Sequence, residues 1–127
     1  ERCFACGPHG GGLHLQFSPT AENEVRAEWE CTEHYGGYPG IIHGGIVATL
    51  LDSAMTNCLM LRGVLAYTAE LNVRYRAHLR ATGRAIVSAR VKRVRAPLIV
   101  LTSEVVQDGG VVAAATGKFM IASATPD

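Results

Sequence analysis

The residues best suited to chemistry crowd into one short run, "IIHGGIVATLLD", residues 41–52. His43, Gly44 and Gly45 stand at the head of an apolar segment with helical spacing, and Asp52 lies inside it. Glycine pairs usually end helices rather than open them. The pair therefore implies either a tight entry turn or a group that comes very close to the backbone. The first turn of a helix has unpaired N–H groups, and its macrodipole favours negative charge. A glycine there has no Cβ, so a carbonyl can approach its N–H. An acyl-transfer oxyanion needs that arrangement. Gly44 is the candidate donor, Gly45 a neighbouring substrate contact, and His43 a second polar contact. Alternatively, His43 only steadies the turn.

Asp52 comes eight residues after Gly44, roughly 12 Å along a helix at about 1.5 Å per residue. One substrate carbonyl cannot touch the Gly44 N–H and the Asp52 carboxylate of the same chain. If they act together, they come from two subunits whose helices lie antiparallel across a two-fold axis. The chemistry thus predicts a homodimer or a dimer of dimers. Asp52 could equally be a carboxylate on a solvated face, among Thr49, Ser53 and Thr56.

The elements that must position these residues follow from periodicity. A helix is expected from about residue 44 to 61, closed by Arg62 and Gly63. Val47, Leu50, Leu51, Ala54, Cys58 and Leu61 share one face at helical spacing. Before it, "LHLQF" (residues 13–17) and "EVRAEWE" (residues 24–30) alternate like strands with one buried face. After it the period changes to two over residues 69–79, 84–94, 98–107 and 111–122. Thr82-Gly83, Ala96-Pro97 and Asp108-Gly109-Gly110 separate these four segments. Residues 1–12 read as a glycine-dense loop and residues 35–40, "YGGYPG", as turn chemistry. A lone helix with a wide apolar side must be covered, and a curved antiparallel sheet is the available partner. The fold class is α+β, in a single domain over residues 1–127.

Bulk properties narrow the classes. The 127 residues are 48% apolar with a formal net charge of +1, which excludes a disordered chain. No apolar run reaches the roughly 18 residues that span a bilayer. No basic-then-apolar leader is present either, so a cytoplasmic protein is expected. Six of the 11 acids fall in residues 1–33, whereas residues 71–103 hold eight Arg and Lys and no acid. With aromatics at 6%, a phosphorylated small molecule fits this basic stretch better than nucleic acid.

Other motifs are weaker. "CFACGPHGGGLH" offers Cys3, Cys6, His9 and His14 at an imperfect zinc-like spacing. Paired cysteines beside glycine also make a tight turn, so no metal site is assigned. Four cysteines do not make a disulfide framework in a chain of this size, which favours a reducing compartment. "HGGG" at residues 9–12 lacks the accompanying G-x-S-x-G elbow of esterases. No phosphate loop or dinucleotide fingerprint occurs.

Residues 38–55, "YPGIIHGGIVATLLDSAM", followed by "YTAELNVRYRAHL", resemble the hotdog-fold acyl-CoA thioesterases of the phenylacetate-pathway and 4-hydroxybenzoyl-CoA type. The "CFACG…GLHLQF" opening is similar to that group too, so the match runs from residue 3 to about 121. The resemblance implies an antiparallel sheet wrapped around one central helix. It implies that the Gly44 N–H polarises a thioester carbonyl, with His43 holding the thioester or the turn. Asp52 of the other subunit would be general base or nucleophile, and Thr68 would orient the attacking water. The reaction implied is hydrolysis of acyl-CoA to free acid and coenzyme A, with no cofactor. Coenzyme A carries three phosphate groups, so Arg76, Arg93 and Arg95 become candidate nucleotide contacts. The acyl group would enter near Met55, Leu59 and Tyr67. Relatives often carry Asn or Gln six or seven residues before the histidine, where this chain has Gly36 and Gly37. Hydratases or dehydratases of acyl thioesters share the fold, as do non-catalytic acyl-CoA binding modules. The histidine-to-aspartate spacing suits a thioesterase better.

Overall fold

The computed structural model describes residues 13 and 15–122. Cys3, Cys6, His9 and His14 lie outside them. The chain runs β1 (Ser18–Ala21), β2 (Glu24–Glu30), a 3₁₀ turn (Glu33–Tyr35), α1 (Gly44–Met60), β3 (Ala66–Tyr75), β4 (Arg84–Arg95), β5 (Leu98–Gln107) and β6 (Gly110–Ile121). The strands form one antiparallel sheet in the order β1-β2-β4-β5-β6-β3. The helix touches every strand from β2 to β6. One helix against an antiparallel sheet is the α+β architecture read from the periodicity, and this arrangement is the hotdog fold.

Alternation along the strands explains which sheet face the helix covers. Val25, Ala27 and Trp29 on β2, Ala85, Val87 and Ala89 on β4, and Ile99, Leu101 and Val105 on β5 are buried at every second position. Against them the helix buries Val47, Leu50, Leu51, Ser53, Ala54, Met55, Cys58 and Leu59. Fully burying a side chain such as Leu50 or Leu51 contributes about 2 kcal/mol, so this seam dominates the core. Met55 reaches the sheet because β6 carries Gly117 there. A Cβ at Gly117 would stand 2.9 Å from the Met55 sulfur.

Four local expectations need correction. Residues 15–17 are not a strand: Leu13 and Leu15 are buried, but the ladder to β2 begins only at Ser18↔Arg26. The third strand occupies Ala66–Tyr75 rather than residues 69–79. Beyond Tyr75 the Arg76 and Ala77 N–H groups both bond the Val112 carbonyl, and the chain then leaves the sheet. Leu61 caps the helix and is 52% exposed, because the chain turns away there through Gly63 at φ +78°. Ser53 is buried rather than solvated.

Two core groups give testable consequences. Ser103 on β5 is 5% exposed, and its hydroxyl has no partner among the described residues. An unsatisfied buried hydroxyl costs about 1–3 kcal/mol. Ser103→Ala is therefore expected to raise stability by about 1 kcal/mol in urea titration. Cys31 is buried, its thiol facing the Trp29 carbonyl, and burial pushes the thiol from the ordinary 9.0 up to about 11, opposed by Arg80 and reinforced by Glu30. The folded thiol keeps its proton at a pH where the unfolded chain has released it, so unfolding is favoured as pH rises. Stability from this group is intact below pH 9 and falls between about 9 and 11. In Cys31→Ala, melting temperatures should decline less steeply over that window.

Candidate functional site

The helix entry is held by its own neighbours. His43 is the N-cap, and its Nδ1 accepts the Gly45 N–H at 2.8 Å. An Nδ1 that accepts must be unprotonated, which assigns the neutral tautomer with its proton on Nε2. The second glycine has a steric reason. A Cβ at Gly45 would stand 3.1 Å from Nδ1 and 3.2 Å from Cε1 of His43, closer than the ring can tolerate without moving. From the other side, the Tyr75 hydroxyl on β3 donates to the Gly44 carbonyl at 2.8 Å. The peptide joining Gly44 to Gly45 is thus clamped at both its N–H and its C=O.

Gly44 is different. A Cβ there would meet nothing nearer than the Tyr75 hydroxyl at 3.8 Å, so packing within the chain does not demand glycine. Its N–H is also the exception at the helix start. Gly45 N–H goes to His43 Nδ1, while the Ile46 and Val47 N–H groups bond the His43 carbonyl at 3.0 and 3.2 Å. The four N–H groups that this helix start leaves open are those of residues 43–46. The His43 N–H bonds the Tyr35 carbonyl at 2.9 Å, and only the Gly44 N–H has no partner among the described residues. Gly44 lines a cleft of about 730 Å³ with His43, Gly45, Tyr38, Ile41, Tyr75 and Arg76 among the walls.

Asp52 lies two turns further on, outside that cleft. Its Oδ1 accepts the Thr68 hydroxyl of β3 at 2.8 Å. The candidate residues therefore fall into two separate groups. Gly44 with Tyr75 lies at one end of β3, and Asp52 with Thr68 lies near the other. This places the helix antiparallel to β3, along the direction of β4 and β6.

The three candidate arginines divide in the same way. Arg76 follows Tyr75 and lines the Gly44 cleft together with a polar depression of about 520 Å³ that also includes Arg74, Arg90, Thr102 and Thr116. Arg93 and Arg95 pair with Val100 and Leu98 at the far end of β4, the same end of the sheet as Thr68 but with β5 and β6 between them and β3. The three do not gather within one chain. Met55 and Leu59 are fully enclosed core residues, while Tyr67 is 59% exposed.

The turn before His43 accounts for Gly36 and Gly37. Glu33 reaches across it to accept the Gly40 N–H at 2.9 Å. A Cβ at Gly36 would lie 3.1 Å from the Glu33 carboxylate, and one at Gly37 3.4 Å from the His43 Cα. A side chain at Gly36 would push the Glu33 brace aside. The brace spans only seven residues, whereas the Tyr75 clamp joins residues 31 apart and carries no local sequence signal.

Comparisons with known proteins place this geometry. Residues 39–114 match the thioesterase superfamily, and the chain belongs to that family. Among curated relatives, acyl-coenzyme A thioesterase THEM4 of Mus musculus is 28% identical over 84 residues, covering 66% of this chain and 36% of the mouse protein. The chain thus spans about a third of that relative's length. Among solved structures, the phenylacetic acid degradation protein PaaI from Thermus thermophilus superposes with TM-score 0.77 at 27% identity, covering 85% of this chain and 93% of that one. A thioesterase-fold protein from Streptococcus pneumoniae, solved with coenzyme A, superposes with TM-score 0.81 at 16% identity, covering 88% of each chain. Among the described residues no helix is long and apolar enough to cross a membrane.

Proposed function

We propose that this chain hydrolyses an acyl-CoA thioester to the free acid and coenzyme A, using a site shared between two subunits. The single observation that carries the reading is the Gly44 N–H. It is the open donor of the helix start, set at the wall of a cleft where a thioester carbonyl can approach it. As the tetrahedral intermediate forms, that N–H and the helix dipole stabilise the oxyanion. His43, with its proton on Nε2, offers a second donor while its Nδ1 keeps Gly45 in place. Asp52 supplies the base. The Thr68 hydroxyl fixes one carboxylate oxygen and leaves the other to take a proton from water.

The dimer is part of the same reading. Eight residues of helix separate Gly44 from Asp52, so a single chain cannot complete the site. Among the described residues the outer edge of β3 is unpaired along its 10 residues, and a long free edge is a natural pairing surface. Antiparallel pairing of two β3 edges sets the Gly44–Tyr75 end of one protomer against the Asp52–Thr68 end of its partner. The same symmetry brings Arg76 of one protomer to the side of the partner where Arg93 and Arg95 lie. Arg93 and Arg95 stand three strands in from the β3 edge, so Arg76, in the wall of the Gly44 cleft, is the candidate phosphate contact nearest the shared site. The relatives named acyl-CoA thioesterase and the coenzyme A complex of a fold neighbour support this substrate class.

Thiol release from short-chain, long-chain and aryl acyl-CoAs tests the reading. Turnover on at least one class is expected. Silence on all three, with binding or a change in enoyl absorbance instead, would move the site to the binding or hydratase class.

A further inference from the structure

Gln107 closes β5 as a buried polar side chain, 6% exposed. Its amide is used in full. Oε1 accepts the Arg80 N–H at 2.9 Å, and Nε2 donates to the carbonyls of Arg80 and Thr82 at 3.2 and 3.1 Å and faces the Cys31 sulfur at 3.7 Å. The opposite amide assignment would set an oxygen against two carbonyls, so the network fixes the orientation. The neighbouring groups of the same segment point the other way. The Leu79 carbonyl accepts the Ile42 N–H at 2.8 Å, and the Ala81 N–H donates to the Gly40 carbonyl at 2.9 Å. Arg80 also forms an antiparallel bridge with Ile41. Residues 79–81 thus run alongside residues 40–42 on one edge before the chain bends at residues 81–83. On the other edge a side chain stands in for a missing strand.

That segment is next to the chemistry. Residue 43 is the helix cap that holds Gly45, and Ile41, Ile42, His78 and Leu79 all line the Gly44 cleft. We infer that Gln107 is a positioning residue of the active site, holding the segment at residues 79–82 so that residues 40–42 deliver His43 and Gly44 in register. The inference rests on the hydrolase reading above. Its consequence reaches beyond stability. Loss of the amide loosens the cap and with it the aim of the Gly44 N–H, which lowers kcat more than it raises KM.

The test uses Gln107→Leu, Gln107→Glu and a core variant matched in melting temperature, Val105→Ala. In the folded Gln107→Leu protein, kcat is expected to fall at least tenfold with KM changed less than threefold, while Val105→Ala keeps kcat within about twofold. In Gln107→Glu the neutral carboxyl can still donate to a carbonyl and the carboxylate cannot. Its activity should therefore fall with rising pH along a titration that the wild type lacks. Hydrogen exchange of the Gly45 amide, read by NMR, gives a readout independent of turnover. Protection should drop in Gln107→Leu and persist in Val105→Ala. If the wild type hydrolyses no thioester but this exchange pattern appears, the positioning stands and the hydrolase reading fails. If Gln107→Leu keeps both kcat and Gly45 protection, or if Val105→Ala loses both equally, the inference is overturned.

Discussion

Asp52→Asn is expected to lower kcat by roughly 10²- to 10⁴-fold, the span for loss of a general base, with KM little changed and the fold intact. The asparagine keeps an oxygen for the Thr68 hydroxyl, which now bonds Oδ1 at 2.8 Å, so the local geometry survives the loss of basicity. Asp52→Ala should give the same rate loss. Thr68→Ala removes only the brace and leaves the carboxylate itself, and its expected effect is about tenfold. That ordering distinguishes a catalytic carboxylate from one that merely caps β3. In the latter case Asp52→Asn would be near neutral. Steady-state kinetics on the substrate class found by thiol release, with circular dichroism as a check on folding, reads the outcome.

Gly44→Pro is the second large effect. Proline is the one substitution that deletes a backbone N–H, and the first helical position tolerates it because its N–H is not needed by the helix. The preceding residue also accepts it. His43 sits at φ −58°, ψ +136°, the extended region that a residue before proline adopts. The variant should fold and keep the helix, yet lose about 10²- to 10³-fold in kcat, as removal of one oxyanion donor does. Gly44→Ala separates the donor from the space. Its methyl group would lie 3.8 Å from the Tyr75 hydroxyl, an ordinary contact, so stability holds. Any rise in KM then reports the methyl intruding on substrate. Equal kcat in Gly44→Pro and wild type would remove this N–H from the mechanism.

What the sequence revealed depended on how local each signal was. The helix was legible because one apolar period and two glycine-marked ends bound it, and Gly63 at φ +78° does stop it. The last hairpin was legible for the same reason, with Asp108 and Gly109 at φ +53° and +80°. The frame of β3 was not. Its alternation continues through residues 76–79, and only the bifurcated bonds to Val112 show where the ladder ends. Leu13 and Leu15 alternate as a strand would, but burial without a ladder partner gives the same pattern. Within the site, the run at residues 43–52 named its own chemistry. The Tyr75 clamp and the Gln107 anchor did not, since each joins residues 25 or more apart that only the folded chain brings together. The Glu33 brace spans seven residues of one loop, and no residue type there announces it. The arginines show the limit of counting charges. A single acid-free stretch folds into two groups at opposite ends of the sheet.

The most direct test of a shared site is complementation between two inactive proteins. Asp52→Ala and Gly44→Pro, each purified and folded, are mixed in equal amounts, dissociated and reassociated, with different affinity tags to isolate the hybrid. Each hybrid dimer contains one site with both groups intact and one with both lost. Random pairing makes about half of the dimers hybrids, so the mixture should recover about a quarter of wild-type activity and the isolated hybrid about half. A hybrid that forms and remains as inactive as its parents would contradict a catalytic site built from two subunits.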